Sequence, residues 1–176
     1  MKFARCAIEG AFIVDLEPQA DERGYFARTY CREEFERHGL TPDITQCSVS
    51  QNRLKGTLRG MHYQAAPDGE AKLVRCTRGA LFDVIVDLRP GSPSYRRWLG
   101  VELDADQGRM LFIPEGCAHG FLTLRDDTHV YYQISTPFRP ASARGFRWDD
   151  PSVGIAWPGE PTVISDKDRA LPYLAP

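Results

Sequence analysis

Three short stretches of this chain place proton-transfer and charged side chains in runs that read as β-strand. Gly56 to Gln64, GTLRGMHYQ, carries Arg59 and His62. Ile113 to Phe121, IPEGCAHGF, carries His119, and Val130 to Ser135, VYYQIS, carries Tyr132. A neutral imidazole is a good base near neutral pH. A phenol can return a proton, and a nearby cation stabilises an oxygen on which negative charge develops. A base, an acid and cations facing one interior suit one reaction class: removal of a proton next to a carbonyl. Reprotonation from the opposite face then inverts the carbon.

The two-residue period of a strand decides which of these side chains share a face. Val130, Tyr132 and Ile134 share one face and Tyr131 and Gln133 the other, so Tyr132 is expected to point inward among apolar neighbours. Lys72, Val74 and Cys76 share a face by the same count. Lys72 would then enter an interior where an unpaired ammonium is costly, so it needs a carboxylate or an anionic ligand. Arg59 and His62 have opposite parity, and a regular strand would not aim both inward. A bulge at Gly60 would. A histidine base is held in one tautomer by a carboxylate, for which Asp83, Asp87, Asp166 and Asp168 are candidates that spacing does not separate. Read alone, Asp166 to Asp168 is a polar turn.

The elements that must carry these residues are mostly short strands. Ala80 to Arg89 alternates, with Phe82, Val84, Val86 and Leu88 on one face and Asp83 and Asp87 on the other. Arg97 to Leu103, Arg109 to Pro114, Gly120 to Leu124 and His129 to Ser135 are further strands, broken by the DADQG, PEG and RDD turns. One helix is expected at Cys31 to His38, stopped by Gly39. Many short strands at this spacing predict an all-β sandwich or closed barrel. The tail from Pro137 is rich in proline and holds Trp148 and Trp157, and is expected to lie over the barrel as an irregular cover.

At 176 residues the chain is expected to form one domain over residues 1–176. A net charge of −2 gives no general attraction to nucleic acid or to a membrane surface. No stretch reaches the length of a membrane span, and the N-terminus MKFARCAIEG lacks the apolar core of a signal peptide. The five cysteines form no CxxC pair and read as small buried hydrophobes of a reducing, cytoplasmic compartment. A metal site is a poor alternative. There is no HxH pair, and two usable histidines with Glu70 or Glu115 make a weak ligand set.

In order along the chain, DERGYF (Asp21 to Phe26), GTLRGMHYQ, EAKLVRCTRGALFDVIVDLRPGSPSY, IPEGCAHGF, RWDDP, IAWP and ISDKD resemble the dTDP-4-dehydrorhamnose 3,5-epimerase family. The likeness covers nearly the whole chain. It implies a cupin-type jelly-roll β-barrel with a few short helices, a homodimer that shares site residues across its interface, and no metal or organic cofactor. The implied substrate is a nucleotide-diphosphate sugar. His62 resembles the family's base, Asp168 the carboxylate that orients it, Tyr132 the acid, and Lys72 the residue that stabilises the enolate. Arg59 and His119 resemble sugar or diphosphate contacts, and Arg23 a diphosphate contact made across the dimer. Phe26, Arg28, Gln46, Ser48, Phe138 and Lys167 fall on further substrate-binding positions.

The chain also departs from the family pattern. Arg28 stands where a Glu usually meets thymine, which reverses charge and hydrogen-bond polarity. Gln46-Cys47-Ser48 replaces the usual QxNxS, Phe138 replaces a Tyr, and Ala143 stands where a Glu is common. The expected activity is cofactor-independent inversion at C3, C5 or both of a nucleotide-linked 4-keto-6-deoxyhexose. The alternatives are a mono-epimerase or 3,4-ketoisomerase acting on a CDP- or GDP-linked sugar, and a non-catalytic cupin that binds sugar nucleotides.

Overall fold

Short alternating runs, cut by Gly, Pro and Asp turns, assemble here into two facing β-sheets with little helix. The computed structural model describes residues 1–41 and 43–174. The chain begins with β1 (Lys2–Arg5), β2 (Phe12–Asp15), β3 (Gln19–Asp21), β4 (Gly24–Phe26) and helix α1 (Arg32–Arg37). It continues through β5 (Gln46–Asn52), β6 (Thr57–Gln64), β7 (Lys72–Arg78), β8 (Ala80–Asp87) and β9 (Trp98–Asp104). Then come β10 (Met110–Ile113), β11 (Cys117–Thr123), β12 (Thr128–Ile134), β13 (Ala143–Gly145), β14 (Val163–Ile164) and helix α2 (Asp166–Arg169).

One sheet has the order β1-β2-β10-β7-β12-β5 and the other β13-β6-β11-β8-β9, with β14 also on β6. The result is a cupin-type jelly roll. Its inner core joins Val74, Cys76, Leu111 and Val130 of the first sheet to Leu81, Ile85, Leu103, Cys117 and Phe121 of the second. Strand β8 is buried on both faces. Leu81 and Ile85 turn to this core, while Val84 and Val86 pack outward against Phe146, Val153, Ile155 and Trp157 of the tail. Helix α1 covers the outer face of the first sheet through Phe35, which is buried with Phe12, Leu73 and Phe112. Six residues are too few for a stable helix in isolation, so burial of Phe35, worth about 2–3 kcal/mol, holds it in place. Gly39, at φ +69°, ends it.

The strand bounds differ little from the expectation except at β11, which starts at Cys117 rather than Gly120. Gly116, at φ +76°, closes the PEG turn, and pairing with β8 begins at once. Hairpin β3–β4 pairs only with itself and joins neither large sheet.

Candidate active site

Register across the strands gathers the polar residues at one end of the sandwich. On the first sheet, Ile134 of β12 pairs with Lys72 of β7 and Gln46 of β5, and Tyr132 pairs with Val74 and Ser48. Each cross-strand row shares a face, so Lys72, Gln46, Tyr132 and Ser48 all turn inward. On the second sheet, His62 of β6 lies directly opposite His119 of β11. The next pairing is Arg59 with Phe121, so Gly60 and Met61 together face the single residue Gly120. That is a bulge at Gly60, and it turns both Arg59 and His62 into the same cleft. The bulge requires glycine on two counts. Gly60 has φ +137°, and a Cβ there would lie 2.6 Å from the Gly120 Cα.

The cleft has a volume of about 600 Å³. Its walls include Arg59, His62, Lys72, His119, Tyr132 and Asp168, with Gln46, Ser48, Phe138 and Lys167 toward the rim. Of the four carboxylates considered for His62, Asp168 is its partner, at 2.8 Å from Nε2. A carboxylate only accepts, so His62 donates from Nε2, and the lone pair of its neutral form lies on Nδ1. The other Asp168 oxygen accepts from the Gly60 N–H at 3.3 Å. Asp168 sits on α2 rather than in a simple turn; the Ser165 side chain caps this short helix by accepting from the Asp168 N–H. Burial raises the Asp168 pKa, but the His62 contact, the Gly60 N–H and Lys167 outweigh it and hold the carboxyl below its ordinary value.

A second histidine–carboxylate pair lies deeper. His119 Nε2 is 2.6 Å from Asp83 Oδ1, and both residues are buried. The Tyr132 ring meets His119 edge-on, with centroids 5.9 Å apart. The half-buried Tyr132 phenol is pushed well above the usual tyrosine range, first by burial and then by the Asp83 charge, with Arg59 pulling partly back. Tyr132 is therefore a protonated phenol throughout the physiological range. Of the two partners open to the Lys72 ammonium, a carboxylate or an anionic ligand, the fold supplies a carboxylate, Glu70, at 2.8 Å. Arg59 donates to the Asn52 side chain at 2.8 Å, which orients the guanidinium. Gln46 accepts from the Phe138 N–H and so fixes the loop that carries that ring.

Three expected contacts lie elsewhere in the chain's own fold. The Arg23 side chain is 84% exposed and paired with Asp21, Phe26 is 77% exposed, and Arg28 pairs with Glu34. None lines the cleft, because the hairpin that bears the first two is not anchored to either sheet. Conversely, Glu70, Asn52 and Ser165 support the site without having been singled out for these tasks, and Asp83 holds His119 rather than His62. The signal for Asp83 was present as a carboxylate in the inward register of a strand with apolar neighbours. Among the described residues, no three His, Cys, Asp or Glu side chains gather as a metal-ligand set. No helix among them is long and apolar enough to cross a membrane.

Known proteins resemble this chain in sequence and in fold. A protein from Methanothermobacter thermautotrophicus named dTDP-4-dehydrorhamnose 3,5-epimerase is 44% identical over 96% of this chain and 91% of its own. One of the same name from Sinorhizobium fredii is 41% identical over 99% and 90%. The crystal structure of dTDP-4-dehydrorhamnose 3,5-epimerase from Bacillus anthracis, with TDP and PPi bound, superposes with a TM-score of 0.94 at 38% identity, covering 98% of this chain and 99% of that one. A family model described as dTDP-4-dehydrorhamnose 3,5-epimerase matches residues 5–176. With that match over nearly its full length, the chain belongs to the dTDP-4-dehydrorhamnose 3,5-epimerase family.

Proposed function

We propose that this protein is a cofactor-independent isomerase that inverts C3, C5 or both of a dTDP-linked 4-keto-6-deoxyhexose. The observation that carries the reading is the His62–Asp168 pair facing one cleft together with Tyr132 and Lys72. The C4 ketone acidifies the hydrogens on C3 and C5. His62 Nδ1 takes one of them, and the electron pair moves onto the ketone oxygen as an enolate. The Lys72 ammonium stabilises that oxygen. The neutral Tyr132 phenol delivers a proton to the opposite face, which inverts the carbon. Solvent then removes the proton from His62 and restores the one on Tyr132. Arg59, His119 and Lys167 contact the sugar and diphosphate, with Gln46, Ser48 and Phe138 at the rim. The names of the relatives favour a dTDP-linked sugar over a CDP- or GDP-linked one.

The exposed hairpin supports a homodimer in which Arg23, Phe26 and Arg28 reach the partner's cleft. Light scattering would read the dimer, and Arg23→Ala would weaken nucleotide binding if the arm completes the site. Five free cysteines support a reducing, cytoplasmic compartment. The activity is tested by deuterium wash-in at C3 and C5 of dTDP-4-keto-6-deoxyglucose in D₂O. Exchange at one or both carbons, abolished in His62→Ala, is the expected result. Absence of exchange with folded protein, or exchange indifferent to His62→Ala, defeats the proposal.

A further inference from the structure

Three cations border the cleft: Arg59, Lys72 and Lys167. Of these three, only Lys72 has an ion pair among the described residues, with Glu70. Both partners are nearly enclosed, each with a side chain 10% exposed. The backbone around Glu70 is pinned on both sides. The Gly69 carbonyl accepts from Thr136 Oγ1 at 2.7 Å, and the Ala71 N–H donates to Ser135 Oγ at 2.8 Å. The Ser135 N–H in turn donates to the Ala71 carbonyl at 3.0 Å. The backbone that carries Glu70 is therefore fixed, and a Glu side chain is shorter than that of Lys. Lys72, with a flexible four-carbon stem, is the member that is held.

This pairing divides the cations between two tasks. A diphosphate attracts any flexible ammonium within reach, and an unpaired Lys72 would swing toward it. Arg59 and Lys167 have no carboxylate ion pair among the described residues, so they meet the diphosphate without first breaking one. The carboxylate beside Lys72 competes with the diphosphate for that one ammonium. Its backbone is tied to the 135–136 segment, so that segment does not follow the ammonium. We infer that Glu70 is a positioning residue of this reaction: it holds the Lys72 ammonium beside the ketone oxygen and away from the diphosphate. The inference rests on the epimerase reading above.

An interaction made only with the enolate changes kcat, whereas one made equally with substrate changes KM. Glu70→Gln keeps the shape and one acceptor oxygen but removes the charge that competes with phosphate. It is expected to lower kcat on the order of 10- to 100-fold, less than outright loss of an oxyanion donor. The KM for dTDP-4-keto-6-deoxyglucose and the Kd for dTDP should stay the same or fall, because Lys72 is released toward the diphosphate. Glu70→Asp should recover part of kcat. In a Lys72→Ala background, adding Glu70→Gln should cost less than about twofold, since residues that act as one unit are not additive.

A kcat for Glu70→Gln within twofold of wild type overturns the assignment. So does a rise in both KM and the dTDP Kd, which marks general damage to the cleft, and so does a multiplicative loss in the double variant. If Glu70→Gln does not fold, Glu70→Asp and the double variant decide by the same criteria. A wild type without wash-in defeats the epimerase reading itself. An active wild type with a fully active Glu70→Gln defeats only the role of Glu70.

Discussion

Asp168→Asn tests the chemistry of the site at a single atom. Asp168 accepts on both oxygens, from His62 Nε2 at 2.8 Å and from the Gly60 N–H at 3.3 Å. An asparagine has only one accepting oxygen. If that oxygen faces His62, the amide NH₂ meets the Gly60 N–H, donor against donor, inside a buried contact. If the amide turns the other way, its NH₂ donates to His62 Nε2. The imidazole must then carry its proton on Nδ1, and the lone pair proposed to remove the substrate proton is gone. A base held in the wrong tautomer costs about 10²- to 10⁴-fold in rate, or about 2.7–5.4 kcal/mol of barrier. Loss of the charged hydrogen bond costs about 1.5–3 kcal/mol of stability. The assay is deuterium wash-in under saturating substrate, with thermal unfolding as the control. The stability cost has a defined pH sign. The folded Asp168 carboxyl is held below its ordinary value, so its stabilisation is present above the unfolded value near pH 4 and is lost as pH falls through the lowered folded value. The gap in stability between wild type and Asp168→Asn should therefore close in acid. A folded Asp168→Asn protein with wild-type wash-in would refute the idea that this carboxylate sets the tautomer.

Three further outcomes are expected. Tyr132→Phe keeps the ring against His119 but removes the proposed proton donor, so inversion should fall on the order of 10²-fold or more while proton removal by His62 continues; equal loss of exchange and inversion by NMR would contradict separate acid and base. Gly60→Ala places a Cβ 2.6 Å from the Gly120 Cα and 3.2 Å from the His119 carbonyl, on a backbone at φ +137°. It should cost roughly 3 kcal/mol, a Tm drop of about 6–12 °C, together with most of the activity, because the bulge aims both Arg59 and His62; an unchanged Tm would count against the tight packing. Asp87→Asn breaks a buried network in which Asp87 takes hydrogen bonds from Arg89, Ser92 and Ser94. Burial raises its pKa, but these partners outweigh it and depress the carboxyl strongly, so a deficit of about 3 kcal/mol at pH 7 should shrink below about pH 4 in denaturant titrations.

Side-chain direction was legible along the chain because the pleat repeats every two residues and needs no distant partner. That alone put Lys72 on the face of Val74 and Cys76, and Tyr132 on the face of Val130 and Ile134. It also set Arg59 and His62 at opposite parity, with a bulge at Gly60 as a way to bring them together. The Lys72 ammonium needed a carboxylate or an anionic ligand for the same local reason, although that need did not name the partner. Partner identity came only with the tertiary structure. Asp168 reaches His62 across 106 residues because α2 is packed beside β6, and Asp83 reaches His119 because β8 and β11 are neighbours. Helix packing and strand pairing both depend on distant residues, so four carboxylates that spacing left equivalent were separated only by the tertiary structure. The hairpin carrying Arg23 and Phe26 marks the same boundary. Its motif was readable in the sequence, but its separation from the chain's own cleft follows from which strands it pairs with, and it pairs only with itself.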